Sequence, residues 1–291
     1  MDTIKRIEFY KNKNKNFDFE IIRLKDFFGD KYIKYITHIH RLNFYNILCI
    51  TSGKSQHEID FKLYPYKAGD ILLISKNQVQ RFYPKGDIDG YLILFTDTFL
   101  YRHLHSNISE FLEPFQSTYL HPIVKFDNNS DGFERIQLDT LYKYYIDKNN
   151  VLKPEILKSH LRTLMLLIKR NSLENQNNID AHTYEKFITF MNLVEDNFKH
   201  KKTVQEYADL MYVSKKTVNS ITRKAVDLSA KQFIIDRVIL EIKRYLSQGD
   251  LTVNEIAEIT GFDEPSNLTK FFKRYEGLTP SEFRKKQQIY I

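Results

Sequence analysis

Between Thr203 and Phe283 the apolar positions of the chain follow one helical pattern twice. Thr203-Val204-Gln205-Glu206-Tyr207-Ala208 returns 49 positions later as Thr252-Val253-Asn254-Glu255-Ile256-Ala257. Val204, Tyr207, Ala208 and Met211 have helical spacing, and the pattern then breaks at Tyr212-Val213-Ser214. A second helix is predicted from Lys215 to about Ala225, with Val218 and Ile221 on its inner face. In the second copy Ala257 stands where two helices would cross, and Gly261 stands in the turn. From there Val218 pairs with Leu268, Ile221 with Phe271, Leu228 with Leu278, Ser229 with Thr279 and Phe233 with Phe283, all 50 apart. One residue has therefore been inserted near Asp263-Glu264, where it lengthens a turn without disturbing either helix.

The polar positions mark the ends of these helices. Thr203-x-x-Glu206 and Thr252-x-x-Glu255 are capping boxes, and Ser229-x-x-Gln232 is a third. Ser214 can cap the helix that follows it. Ser229 opens a long helix predicted to run to about Ser247, roughly 27 Å at the standard rise. Two short helices with a tight turn, repeated and joined by a stiff spacer, form a pair of helix-turn-helix units at 203–225 and 252–275. Such a unit reads DNA by placing its second helix in the major groove. Plain stacking in an α-solenoid is the competing reading, but solenoids use three or more copies at a constant period.

The first half of the chain has a different period. Tyr32–Ile36, Phe44–Ile50, Gln56–Phe61, Asp70–Ile74 and Gly90–Phe95 are short β-branched or aromatic runs. Ser52-Gly53-Lys54, Ala68-Gly69-Asp70 and Lys85-Gly86-Asp87 supply turns between them. Strands so closely spaced predict a small barrel or jelly roll. Helical periodicity resumes over 133–146 and 155–169, giving two amphipathic helices that pack on the barrel or form a dimer interface. Residues 171–180 are polar and read as a linker.

Composition changes this picture only slightly. The 291 residues leave room for two domains. The net charge is +7, and residues 181–291 hold 18 Lys/Arg against 15 Asp/Glu, so bulk charge does not single out the C-terminal part. Placement does: Lys215, Lys216, Arg223 and Lys224 share one predicted helix, and Lys270, Lys273 and Arg274 share the other. The lone Cys49 sits in an apolar run and reads as an inert buried thiol. The charged start lacks a signal core, and no apolar run is long enough to cross a bilayer. A cytoplasmic protein is expected. No nucleophile elbow, P-loop or dinucleotide fingerprint appears, so neither an enzyme nor a cofactor is expected from motifs.

At Gly261-Phe262, Phe271-Phe272-Lys273-Arg274 and Gly277-Leu278-Thr279-Pro280-Ser281-Glu282-Phe283-Arg284 the chain resembles the AraC/XylS family of bacterial transcription regulators. More loosely, Ala68–Ile74 followed by Asn77–Phe82 is similar to the cupin-like sensor half of that family. The resemblance implies an α+β multidomain chain: a cupin-like jelly roll at 1–130, dimerisation helices at 131–170, a linker at 171–181 and an all-α DNA-binding domain at 182–291. It departs from the family pattern at Tyr212 for Gly, Ser220 for Arg, Asp227 for Gly and Ala230 for Pro. It implies double-stranded promoter DNA, a small-molecule effector, a second copy of the chain and RNA polymerase as partners, and no membrane. Lys216, Asn219 and Ser220 in the first unit, and Pro265, Ser266, Asn267, Thr269 and Lys270 in the second, would face bases; Lys215, Arg223, Lys273 and Arg274 would meet phosphates.

His38-Ile39-His40 adds a chemical candidate, since residues two apart on a strand share a face. With Tyr45 and Gln80 these two histidines would line an effector pocket. A cupin metalloenzyme needs a following Glu and a third His; Gln80 stands where the third His is expected, and only Glu58 could substitute for the Glu. The competing functions are thus that metalloenzyme and a DNA-binding protein without effector control. His103 and His105, on one predicted helix, read as surface residues.

Overall fold

A computed structural model describes residues 5–7, 18–29, 33, 36–84, 87–103, 108–116, 118, 121–126, 132–148, 150–174, 180–249 and 251–289. The chain divides into two compact units, one of Arg6–Asn177 and one of Asn178–Ile291 with Met1–Lys5.

The first unit is built on two five-stranded antiparallel sheets. One runs β1 (Lys5–Ile7), β3 (His40–Leu42), β8 (Val79–Tyr83), β5 (Lys54–Ile59), β6 (Lys62–Lys67) across its width. The other runs β10 (Ile123–Lys125), β7 (Asp70–Ile74), β4 (Tyr45–Ser52), β9 (Asp89–Phe95), β2 (Phe19–Arg23). This second sheet is covered on both faces. Leu48, Ile50, Leu72, Ile74, Leu92 and Leu94 form one core with Leu42, Ile59, Tyr66 and Phe82 of the first sheet. Ile47, Cys49, Ile71, Leu73, Ile93 and Phe95 face the other way, into a core with Leu141, Leu157, Leu161, Leu164 and Ile168. Those last residues lie on α4 (Phe133–Ile146) and α5 (Lys153–Glu174). The unit also carries the shorter helices α1 (Leu24–Phe27), α2 (Asp97–His103) and α3 (Ile108–Gln116). Double coverage is why β4, β7 and β9 are near-continuous apolar runs.

Two sequence expectations change here. Ile33 and Ile36, expected on a strand, are helical; Tyr32, Lys34 and Tyr35 lie outside the described residues. Helix α5 reaches Glu174, taking up the start of the expected linker, of which residues 175–179 lie outside the described residues. His103 ends α2, and His105 also lies outside them.

The second unit is all helical: α6 (Ala181–Asn197), α7 (Val204–Leu210), α8 (Lys215–Val226), α9 (Ala230–Gln248), α10 (Val253–Ile259), α11 (Pro265–Glu276) and α12 (Pro280–Ile289). Thr203 and Thr252 both close full capping boxes with Glu206 and Glu255. Thr279 and Glu282 make the same reciprocal bonds ahead of α12. Ser229 accepts from the Gln232 N–H at 3.1 Å, but the Gln232 side chain reaches Asp236 at 2.7 Å instead of turning back, so that cap is half a box.

Helix α9 is the hub. Phe233 packs on Phe187 and Phe190 of α6, and Ile234, Val238, Ile239, Ile242 and Leu246 are buried along its length. Three charged residues are buried on it as well: Arg237, Glu241 and Arg244. Arg237 donates to Glu195 of α6 at 2.5 and 2.8 Å and to Glu241 at 3.0 Å, and it stacks 4.0 Å over Phe198. Burial disfavours its charge most, but the carboxylates of Glu195 and Glu241 together outweigh this and raise its pKa above the ordinary arginine value.

Candidate nucleic-acid interface

The two recognition helices have the same length, twelve residues each, and present the same kind of face. Val218 and Ile221 of α8 and Leu268 of α11 are buried. Phe271, expected to face inward, is only half-buried; it packs on Phe262 and Tyr275, while its neighbour Phe272 is fully buried in the position of Thr222. The opposite faces are open. Lys215, Lys216, Ser220, Arg223 and Lys224 are exposed on α8, and Ser266, Asn267, Lys270, Lys273 and Arg274 are exposed on α11. Each exposed strip therefore combines short hydrogen-bonding side chains with cations. That combination suits a groove edge flanked by phosphates.

Asn219, expected to face bases, is bonded within the fold. Its amide nitrogen donates to the Lys215 carbonyl at 3.1 Å, and its amide oxygen accepts the Ala230 N–H at 3.1 Å. Both polar atoms are thus engaged within the fold, and the side chain ties α8 to the first residue of α9. Ala230 also explains a departure from the family pattern, because a proline there has no N–H to give. The equivalent pair in the second unit is Thr269 and Pro280. Thr269 donates to its own Pro265 carbonyl at 2.9 Å and is half-buried, which leaves its oxygen free only as an acceptor. Ser266 reaches the Glu264 carboxylate at 3.1 Å.

The turns differ too. Tyr212 is in the left-handed region with φ 53° and is 96% exposed. Gly261 has φ 71°, and a Cβ on it would lie 1.7 Å from the Lys199 carbonyl oxygen. The inserted residue falls between Phe262 and Glu264. Ser214 caps α8 through the Thr217 N–H at 3.1 Å, whereas Glu264 makes no side-chain cap and Pro265 opens α11 instead.

In the first unit the structure separates the four residues expected to line one pocket. His38 is exposed and precedes β3, so the two-residue spacing does not put it beside His40; its carbonyl lies 2.9 Å from His40 Nδ1. Tyr45 packs on Phe95 and Phe115 in the helix-facing core and donates to Asp97 at 3.3 Å. His40 and Gln80 do meet, as direct partners across β3 and β8. The residue missed is His57 on β5. Its Nε2 lies 2.9 Å from the Gln80 amide oxygen, and its ring packs edge-on against Phe82. The alternation Ser55, His57, Ile59 carried that signal. Burial drives both histidines down, His40 to about 4 and His57 to about 3, so both are neutral near pH 7. His57 Nδ1 and Gln80 Nε2 are buried with no hydrogen-bond partner. Glu58 points elsewhere, bonded to Arg81 and Tyr83. Among the described residues no three of His, Cys, Asp and Glu converge as a metal-binding group. No described helix is long and apolar enough to cross a membrane.

Two family models match the chain. A helix-turn-helix domain model covers residues 207–286, and an AraC-like ligand binding domain model covers residues 29–125. The melibiose operon regulatory protein of Escherichia coli (strain K12) is 23% identical over 123 residues, 42% of this chain and 41% of that protein. The raffinose operon transcriptional regulatory protein RafR of Pediococcus pentosaceus is 23% identical over 155 residues, 53% of this chain and 56% of that protein. The chain thus spans about half the length of these curated relatives. A solved structure of ToxT from Vibrio cholerae aligns over 93% of this chain and 98% of that one, at 15% identity and a TM-score of 0.44.

Proposed function

The chain belongs to the AraC family, and on that premise we propose that it is a sequence-specific DNA-binding transcription regulator controlled by a small molecule held in its N-terminal sheets. The observation that carries this reading is the pair of equal recognition helices, each with an exposed strip of cations and short polar groups. Base reading falls to Lys216 and Ser220 in the first unit and to Ser266, Asn267, Thr269 and Lys270 in the second. Lys reaches guanine acceptors and Asn pairs with adenine. Lys215, Arg223, Lys273 and Arg274 hold phosphates and set register. The working division is a sensor at 1–130, dimerisation helices at 131–170 and a DNA-binding domain at 182–291. The exposed Ile136, Ile146 and Leu166 of α4 and α5, with Leu152 just before α5, support a second copy as partner. Binding would act on RNA polymerase in the cytoplasm, without catalysis.

The effector reading rests on the His57–Gln80–His40 row, whose neutral rings and partnerless amide and ring nitrogens favour an uncharged hydroxylated ligand. The relatives named for melibiose and raffinose operons make sugars the first compounds to try. Selection of duplexes from a random pool by the full chain, at fixed salt, tests the main claim. A two-box site with centres about 10–10.5 bp apart is expected. Enrichment of no sequence over random DNA refutes it. A sugar panel added to the selected complex tests the effector.

A further inference from the structure

The loop that leads into the first unit also grips the second. Residues 198–203 leave α6 and are fixed to α7 by three bonds. Tyr207 Oη donates to the Lys201 carbonyl at 2.8 Å, and the Glu206 carboxylate accepts the Lys202 and Thr203 N–H groups at 3.1 and 2.9 Å. From this anchored segment Lys202 reaches across. Its Nζ donates to the Gly261 carbonyl at 2.6 Å and to the Lys199 carbonyl at 2.9 Å, and it lies 4.8 Å above the Phe262 ring. The Lys199 carbonyl sits so close to the Gly261 backbone that no side chain fits between them. The ammonium is therefore tied by directional bonds to the backbone of the lead-in loop at Lys199 and of the second turn at Gly261.

We propose that Lys202 is a positioning residue: it clasps the turn of the second unit to the lead-in of the first and so fixes the angular phase between the two recognition helices. Without the clasp the lead-in loop and the second turn keep the Lys199–Gly261 backbone packing but lose the directional bonds that hold it, and α8 and α11 can rock about α9. With it, two separate attachments define their mutual angle. The consequence for DNA rests on the regulator reading above. The clasp makes the protein strict about the separation of its two boxes, because one added base pair turns the second box by roughly 35° around the duplex axis.

The test uses the full chain labelled with spin probes at Lys216→Cys and Ser266→Cys, both exposed positions; Cys49 is buried and stays unlabelled. The wild-type background is expected to give one narrow inter-probe distance. Lys202→Met, which keeps the stem and removes the ammonium, is expected to broaden it, and Lys202→Arg to restore a narrow distribution. Circular dichroism confirms that each variant is folded. An unchanged width in folded Lys202→Met overturns the proposal. On a duplex selected by the full chain, the wild type should lose about tenfold or more in affinity when one base pair is inserted between boxes, and Lys202→Met about threefold or less. If Lys202→Met instead weakens all duplexes alike and lowers the salt slope by about one, Lys202 is a phosphate contact and the clasp is wrong. Should selection yield no duplex, the regulator reading fails while the distance measurement still decides the clasp.

Discussion

The two helix-turn-helix units repeat a backbone more faithfully than they repeat residues. Both turns pass through the left-handed region, one with Tyr212 and the other with Gly261. Both recognition helices end there as well, one at Asp227 with φ 56° and the other at Gly277 with φ 76°. A non-glycine residue in that region costs about 1–2 kcal/mol, which the first unit tolerates twice. The second unit cannot do so at Gly261, because the Lys199 carbonyl occupies the place of a Cβ. At Gly277 nothing crowds the site, and only the dihedral favours glycine. The same residue type thus has a steric cause at one position and a conformational cause at another.

The largest effect is expected at the helix that the two units share. Ile239→Pro breaks the helix that both units share, costing about 3 kcal/mol or more before the lost packing of a buried side chain is counted. Thermal unfolding should show the loss, and a gel shift on two-box DNA should show no complex. Native affinity in a folded variant would mean that α9 is not a rigid spacer.

The turns come next. Gly261→Ala combines left-handed strain with overpacking against Lys199 and should cost roughly 2–5 kcal/mol. Tyr212→Gly, at the matching place in the first unit, should change stability by less than about 1 kcal/mol. Denaturant melts of the pair measure the asymmetry directly; equal effects would erase it.

A smaller contrast concerns reading. Lys270→Ala should cost about 1–3 kcal/mol of binding and relax preference only in the second box. Its counterpart Ser220→Ala should cost less than about 1 kcal/mol. A larger loss from Ser220→Ala would show that the first box is the more strictly read.

The smallest effect should come from Asn219→Ala. Removing its two bonds should lower stability by about 1 kcal/mol and leave base preference unchanged. Changed preference at one base of the first box, seen by repeating the selection, would return Asn219 to the reading face.

What the sequence made legible follows from how local each interaction is. Capping at Thr203 and Thr252 involves residues three apart, and both boxes form as written. Strands β4, β7 and β9 could be read because burial on two faces leaves unbroken apolar runs. Strand β6, with Lys62, Pro65 and Lys67 on a sheet edge, carries no such run, and β2 and β10 lie outside the periodic stretches. The duplication and the inserted turn residue were also plain, since they depend only on offsets. Long-range partners were not. Arg237, Glu241 and Arg244 carry no local signal of burial, yet they are buried, and Glu195 on α6, 42 residues before Arg237, bonds to Arg237 in their network. Asn219 resembled a base reader because nothing in its neighbourhood announces the Ala230 N–H, eleven residues on. The row of buried polar side chains was half legible: Gln80 and His40 were named, but His57 was not, and His38 was placed on a strand it does not join.

The shared helix also bears on which lesions in the gene can be tolerated. Phe233 at its start packs on α6, which braces the first unit, and Lys243 toward its end bonds to Glu276 and lies over Phe283, which belong to the second. Ile242 and Leu246, toward the end of α9, are buried and would lose cover without the helices that follow. A nonsense codon shortly after Gly249 is therefore expected to yield a chain cleared by proteases, not a one-box protein competing with the intact regulator. Truncating alleles of this kind should behave as recessive losses, and dominant interference should come only from missense changes on the reading faces that leave α9 covered.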